Sequence, residues 1–498
     1  MHPLPYPSWL NTGDNTWQLV TATLVGLMSL PGIAVLYGGL VQKKWAVNTM
    51  LMAFTGFSIV LIIWVLWAFN MGFGHPWGGG GGAGTGISGF FHNLWGEPHP
   101  MVSHFGEQNQ EVLPNGTAIP FHFPTATFAY FQVVFAAITP LLFLGSVLGR
   151  MKFKAWLLFV PLWITFVYTV NAMLIWGGGW WAHKGAVDYS GGYVIHLAAG
   201  VTGFVAAWVI GPRLTRDRLH GLPNNLPMIM VGAGILWLGW NGFNGGDPFY
   251  AGVDAASAVL NTNLCTAAAA MTWVFMDMLF LKQRKPTLLG GINGMIVGLV
   301  CITPGAGWVD GYGALLEGLI ASAIVWVAWN YLPKVRPFSK VDDALGVVYT
   351  HGLAGLLGGL MVGLFGDPGM VQYGCSGAKF TNTAACTGSF KVSGLFYGGG
   401  LGQLGWQAAT ALWVICFTAV ASFIVLKVTG VITRGLREPD EVLEIGDLAI
   451  HDEEAYPEDK FAERIGGAGS AFAMAGIAVG DPSPPVAPGP EPEPLGER

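Results

Sequence analysis

Long apolar runs dominate the chain, and short polar stretches separate them. Eleven runs are each long enough, at about 20 residues, to cross a hydrocarbon layer about 30 Å thick as an α-helix. They fall at 17–39, 48–73, 125–148, 155–176, 192–211, 226–245, 255–281, 288–304, 311–332, 346–366 and 401–428. The runs are continuous rather than alternating, which predicts membrane helices and excludes a transmembrane strand barrel. The first run must itself insert. The start, MHPLPYPSWLNTGDNT, has no basic segment followed by a short apolar core.

Composition supports this fold class. The chain is 52% hydrophobic and only 10% charged, against about 25% charged residues in soluble domains. Its 74 glycines suit close helix approach, and its 21 tryptophans suit membrane interfaces. The net charge of −6 says little about partners, because the charges are segregated by side. Twenty of the 23 Lys and Arg residues lie in alternate connections and the C-terminal segment; the opposite connections hold only Lys184, Lys379 and Lys391. That bias predicts an N-terminus outside and a C-terminus in the cytoplasm of a multi-pass cell-membrane protein. An odd number of spans agrees with it.

Residues 1–428 thus form the expected membrane domain, with outer loops near 74–124 and 367–400. Residues 429–456 are charged and patterned, and fit a segment ordered against the inner face. Residues 457–498 are expected to be disordered, the last part being rich in Pro and Glu. Cys265, Cys301 and Cys416 lie in apolar spans and are assigned to packing. Cys375 and Cys386 share an outer loop, where a disulfide suits an oxidising exterior and two free thiols are the alternative. Asn115-Gly-Thr117 fits a glycosylation sequon, which has meaning only in a cell that uses it.

Two stretches share one pattern. Asp188-Tyr-Ser-Gly-Gly-Tyr-Val-Ile-His196 runs on to Gly200, and Asp343-Ala-Leu-Gly-Val-Val-Tyr-Thr-His351 runs on to Gly355. Each reads Asp, seven residues, His, three residues, Gly. Spans one to five repeat as spans six to ten. Five is odd, so the second half is inverted and the halves relate by an axis in the membrane plane. That operation makes His196 and His351 neighbours. An ionisable side chain in hydrocarbon is a functional candidate by default. Two facing imidazoles share one hydrogen, one ring donating and the other accepting. Burial opposes a second proton, so a neutral pair can take a proton from a small passing molecule or return one.

Asp188 is assigned both a helix-capping role and a field that draws cations; Asp343 is assigned the cap. Phe131, Phe135, Trp176, Trp240 and Phe243 offer faces to a cation. Spacing alone does not separate them from packing aromatics. Asp277 and Glu317 are read as interhelical or interfacial, without a transport role. No constellation for nucleophilic catalysis, metal or cofactor appears, so the chain does not read as an enzyme.

These segments resemble the ammonium transporter family (Amt/Mep/Rh), in the bacterial Amt-type branch. The resemblance rests on Leu30-Pro-Gly-Ile-Ala-Val-Leu-Tyr-Gly-Gly39, Phe135-Ala-Ala-Ile-Thr139, Trp176-Gly-Gly-Gly179, Asp188-Tyr-Ser-Gly-Gly192 with His196, Gly239-Trp-Asn-Gly-Phe-Asn244, Lys285-Pro-Thr-Leu-Leu-Gly290, Asp343-Ala-Leu with His351-Gly352, and Gly398-Gly-Gly400. It covers roughly residues 16–456. It implies a homotrimer of eleven-helix protomers, each with its own pore for ammonium or ammonia, with methylammonium as a further candidate. Phe135, Trp176 and Asp247 would line the outer recruitment site, supported by Asp188. Phe135 and Phe243 would form the gate, and His196 and His351 the twin-histidine pair with Trp240 beside it. Gln132 would lie near the gate. The charged tail resembles the region that meets PII-type signal proteins. Many relatives carry Ser where this chain has Asp247. That carboxylate either strengthens cation binding or caps the turn before Pro248 and faces water. A sensor signalling through the tail is the alternative to a transporter.

Overall fold

The computed structural model describes residues 6–77, 87–102, 106–113, 119–219, 221–370 and 392–457. Cys375, Cys386 and the sequon at Asn115 lie outside the described residues. The chain divides into two units, residues 1–453 and 454–498, and the architecture below is that of the first.

Its helices follow the apolar runs. They are α1 (Thr12–Leu40), α2 (Lys43–Phe73), α3 (Thr125–Val147), α4 (Phe153–His183), α5 (Gly192–Ile210), α6 (Leu226–Gly245), α7 (Val253–Phe280), α8 (Leu288–Ile302), α9 (Gly311–Lys334), α10 (Val348–Phe365) and α11 (Gly402–Ile432). Ten are long and apolar enough to span a membrane among the described residues; α8 is shorter. It was expected to reach 304, but the chain turns at Thr303 and Pro304, and Pro supplies no N–H to extend a helix. Polar caps set several starts. Asn11 accepts from Gly13 and Asp14 N–H at α1, Thr287 from Gly290 at α8, and Asp310 from Gly313 at α9. A two-stranded hairpin, β1 (Gln110–Leu113) with β2 (Ile119–Pro124), leads into α3.

The helix α3 is buried almost all round, which makes it the centre of the bundle. Large apolar side chains stay exposed on peripheral helices, among them Phe54, Phe275 and Ile424. In a membrane such a surface meets lipid rather than water. Helices approach closely where glycine removes the side chain. A methyl on Gly298 of α8 would lie 2.6 Å from Thr266 Cα of α7.

One face gathers the cationic connections, and polar groups stitch it together. Arg150 is fully buried; its guanidinium donates to the carbonyls of Gly211, Leu148, Ser146 and Asp342. Arg213 pairs with Asp342 through two nitrogens, at 3.0 and 2.7 Å. The segment after α11 folds onto this face through α12 (Asp440–Ile445) and α13 (Asp447–His451). Asp447 accepts from the N–H groups of Val47 and Asn48 at 2.8 and 3.0 Å, capping the start of α2. His451 meets Asn48 Oδ1 at 2.9 Å, and Lys44 reaches Asp217 and the carbonyls of Leu443 and Glu444.

Candidate functional site

Each repeated Asp holds the start of its helix. Asp188 accepts N–H bonds from Gly191, Gly192, Tyr193 and Val194, at 2.6–3.1 Å. Asp343 accepts from Val347 and Val348 and from the Ser146 hydroxyl. Both helices then open with a widened π-turn, Gly192–Leu197 and Val348–Leu353. Such turns are uncommon and often mark functional sites. Each contains its histidine, so the ring leaves the helix where the backbone is locally overwide.

The two histidines meet. His196 Nδ1 lies 3.4 Å from His351 Nδ1, with ring centroids 5.4 Å apart and planes inclined by 30°. His196 is wholly buried and His351 is 4% exposed. His196 Nε2 has no protein hydrogen-bond partner among the described residues. The glycines that close the repeated pattern make the crossing possible. A methyl on Gly355 would lie 2.6 Å from Gly192 O and 3.0 Å from His196 Cβ, and one on Gly200 would run into the Gly352 backbone.

Aromatic rings continue outward from this pair. Trp240 stacks on His196 at 5.3 Å and 19°, its indole N–H held by Thr303 Oγ1 at 2.9 Å. Phe243 lies 5.8 Å from His196 and stacks on Phe135 at 4.3 Å and 25°. Phe131 tilts against Phe135 at 4.7 Å, and Trp176 meets Phe135 edge-on at 6.3 Å. Phe131, Phe135 and Phe243 are fully buried; Trp176 is half-buried. Gln132 is buried beside them, its Oε1 without a protein partner among the described residues.

The acidic groups belong to the same constellation. Trp176 Nε1 donates to Asp188 O at 2.7 Å, and the Ser190 hydroxyl donates to Asp247 Oδ2. Asp247 is 7% exposed, so it does not face water. Burial pushes Asp188 up to about 6 against the pull of its four N–H bonds. Burial, then the neighbouring Asp188 charge, pushes Asp247 well above the carboxylate range, while Ser190 opposes the shift. A cation beside either carboxyl would favour its ionised form. On the other side of the histidines a cavity of about 400 Å³ reaches His351.

The model of the Ammonium Transporter Family matches residues 16–456. The chain belongs to that family. It is similar to ammonium transporter 3 member 1 of Oryza sativa subsp. japonica, at 46% identity over 90% of this chain and 88% of the rice protein. It is also similar to ammonium transporter 2 of Arabidopsis thaliana, at 44% identity over 90% of this chain and 89% of that one. Among solved structures, Saccharomyces cerevisiae Mep2 has a TM-score of 0.72 at 26% identity, covering 91% of this chain and 94% of the yeast chain.

In this family member, the residues singled out from the sequence fall in one file from Trp176 through Phe135, Phe243 and Trp240 to the histidines. Asp188 and Asp247 lie beside its mouth. Ser190, Thr303 and the glycines at 200, 352 and 355 were missed as parts of the site. Ser190 and the glycines stand inside or next to the quoted motifs. No spacing shows that Ser190 turns to Asp247 or that Thr303 anchors Trp240.

Proposed function

We propose that the protein carries ammonium by stripping its proton and passing ammonia through a dry pore. The observation that carries this reading is the contact between His196 and His351 in an otherwise apolar passage. Asp247, Trp176 and Phe135 gather the cation at the outer mouth, with Asp188 supporting the field. Phe135 and Phe243 form the gate, with Phe131 and Gln132 against it. Beyond the gate an unpaired charge costs several kcal/mol or more, so the proton is left behind.

The histidines then do the polar work. If the Nδ1–Nδ1 contact holds the shared hydrogen, the donor ring keeps a lone pair on Nε2 and the acceptor ring carries its hydrogen there. The pair thereby offers ammonia both a donor and an acceptor, and a relay for the proton. Potassium has a similar charge but no proton to give, which accounts for its exclusion. In this reading the protomers form a homotrimer in the cell membrane, with the N-terminus outside. Residues 1–428 transport, 429–456 regulate, and a PII-type protein meets the tail from the cytoplasm.

The test is a proteoliposome assay with His196→Ala and His351→Ala. Ammonium currents should fall, or potassium should begin to pass. Unchanged currents with unchanged potassium exclusion in both variants refute the proposal. The docking of residues 433–453 through Asp447 also favours a signalling role. Intact transport but lost ammonium signalling, on deleting 433–498, would establish the sensor.

A further inference from the structure

The cavity below the histidines has chemistry that the pore reading does not use. Its walls include His351, Trp273, Trp329, Asn330 and Asp277. Asp277 is 3% exposed and comes from α7, in the half of the bundle opposite the outer mouth. Trp326 Nε1 donates to one of its oxygens, Oδ1, at 2.7 Å. Asp277 Oδ2 faces Gly290, where the missing side chain leaves it room and where the cavity lies. Trp273 and Trp329 meet edge to face, 6.1 Å apart at 75°, and both line the same space. Among the described residues lining the cavity there is no Lys or Arg, and Asp277 is its one acidic side chain.

A carboxylate fixed by an indole, facing a cavity with two further indoles and no basic side chain, is complementary to a compact cation. Carboxylate and ring faces together favour an ammonium-class ion over a strongly hydrated one. We infer that this cavity is a second cation site, taking ammonium and its alkyl and quaternary derivatives at the inner mouth. The inference goes beyond the transport proposal and shares only the pore axis with it. A substituted ammonium ion with no proton to give occupies the site, cannot cross the gate, and blocks from this side alone.

Tetramethylammonium is the probe. Its binding to the detergent-solubilised full chain is followed by saturation-transfer NMR, in a Trp176→Ala background so that the outer indole contributes nothing. Asp277→Asn keeps an oxygen for Trp326 but loses the charge, and should weaken binding about tenfold or more. Trp326→Phe keeps the charge and should change binding by less than about threefold. In methylammonium uptake, tetramethylammonium should inhibit everted vesicles, in which the Lys- and Arg-rich face is outermost, and spare right-side-out ones. Asp277→Asn should relieve that block. Equal binding by the chain with Asp277 intact and by the Asp277→Asn variant overturns the inference, as does no binding at all or equal block from both sides. If the vesicles take up no methylammonium, the transport proposal fails, and the NMR titration still decides the site.

Discussion

Gly355→Ala is the sharpest probe of the twin-histidine geometry, because it adds one methyl group and changes no pore residue. That methyl would lie 3.0 Å from His196 Cβ and 2.6 Å from Gly192 O, where ordinary contacts begin at 3.4 Å. The two helices must therefore part by about 0.4–0.8 Å, the shortfall on each contact. The histidine nitrogens start at 3.4 Å, already long for a hydrogen bond. Separation by that amount takes them to about 3.8–4.2 Å, beyond any hydrogen bond. Overpacking of this kind costs about 1–3 kcal/mol, which a polytopic bundle can absorb while still folding. Misplacement of functional groups by 1 Å can cost about 100-fold in rate, so we expect transport to fall about 10-fold or more.

The assay is ammonium-evoked current on a solid-supported membrane, with gel filtration and thermal melting to show that the fold survives. Gly234→Ala is the control. Its added methyl meets nothing within 4 Å, and α6 should gain slightly from the better helix former. Native currents in a well-folded Gly355→Ala protein refute the claim that contact between the rings matters.

Two further outcomes follow from carboxyls outside the spans. Asp247→Asn should weaken apparent ammonium affinity from the outer side about 3- to 10-fold. Protons compete for Asp188, at about 6, and for Asp247, raised by burial, so native affinity should fall as pH falls through about 6 and the variant should be flatter; a concentration series of currents at several pH values checks both. Asp447 is pushed up to about 6 by burial against the start of α2, in spite of its two N–H bonds and with Glu453 adding to the rise. Free, it titrates near 3.8, so docking takes up a proton between these values, is strongest at low pH and loosens as pH rises through about 6. Hydrogen exchange over 440–453 should therefore be slower at pH 5 than at pH 7.5, after correction for the intrinsic rate, and Asp447→Asn should remove the difference.

The membrane helices were legible because apolar length in a bilayer is nearly decisive. The meeting of His196 with His351 was legible for a different reason. A repeated pattern in an odd-numbered half forces an inversion, and inversion brings like positions together at the middle. The third member of that pattern was harder to read. Gly200 and Gly355 each stand four positions beyond a histidine, but only a crossing shows that each faces the other half. The sequence leaves Asp277 interhelical or interfacial, and its bond to Trp326 joins α7 to α9. Its place in a cavity wall depends on the packing of several helices, which no single run of residues contains. Likewise the tail's charges suggested contact with the inner face, while the Asp447 cap on α2 joins residues about 400 positions apart.

The inverted repeat also shows where it is broken. The two histidines are related by the repeat, yet outward from them lie three fully buried phenylalanine rings, and inward lies an open cavity. The packing on the two sides of the pair is therefore unequal. In the proposed mechanism an ion arriving from outside sheds its water at Phe135 and Phe243 before it meets either imidazole. A molecule leaving His351 enters a space large enough for water and lined by a carboxyl group. The exposures follow the same order: His196 is sealed, and His351 is open by 4%. In the proposed mechanism the two rings therefore cannot have the same task. In that mechanism His196, stacked against both Trp240 and Phe243, is placed to receive the dry substrate. His351 is the ring that can exchange a proton with the inner side. Removing His351 should then impair proton release more than passage of ammonia, and removing His196 should impair both. Comparing current with methylammonium uptake in the two alanine variants separates those effects, and identical profiles would show that the rings share one role.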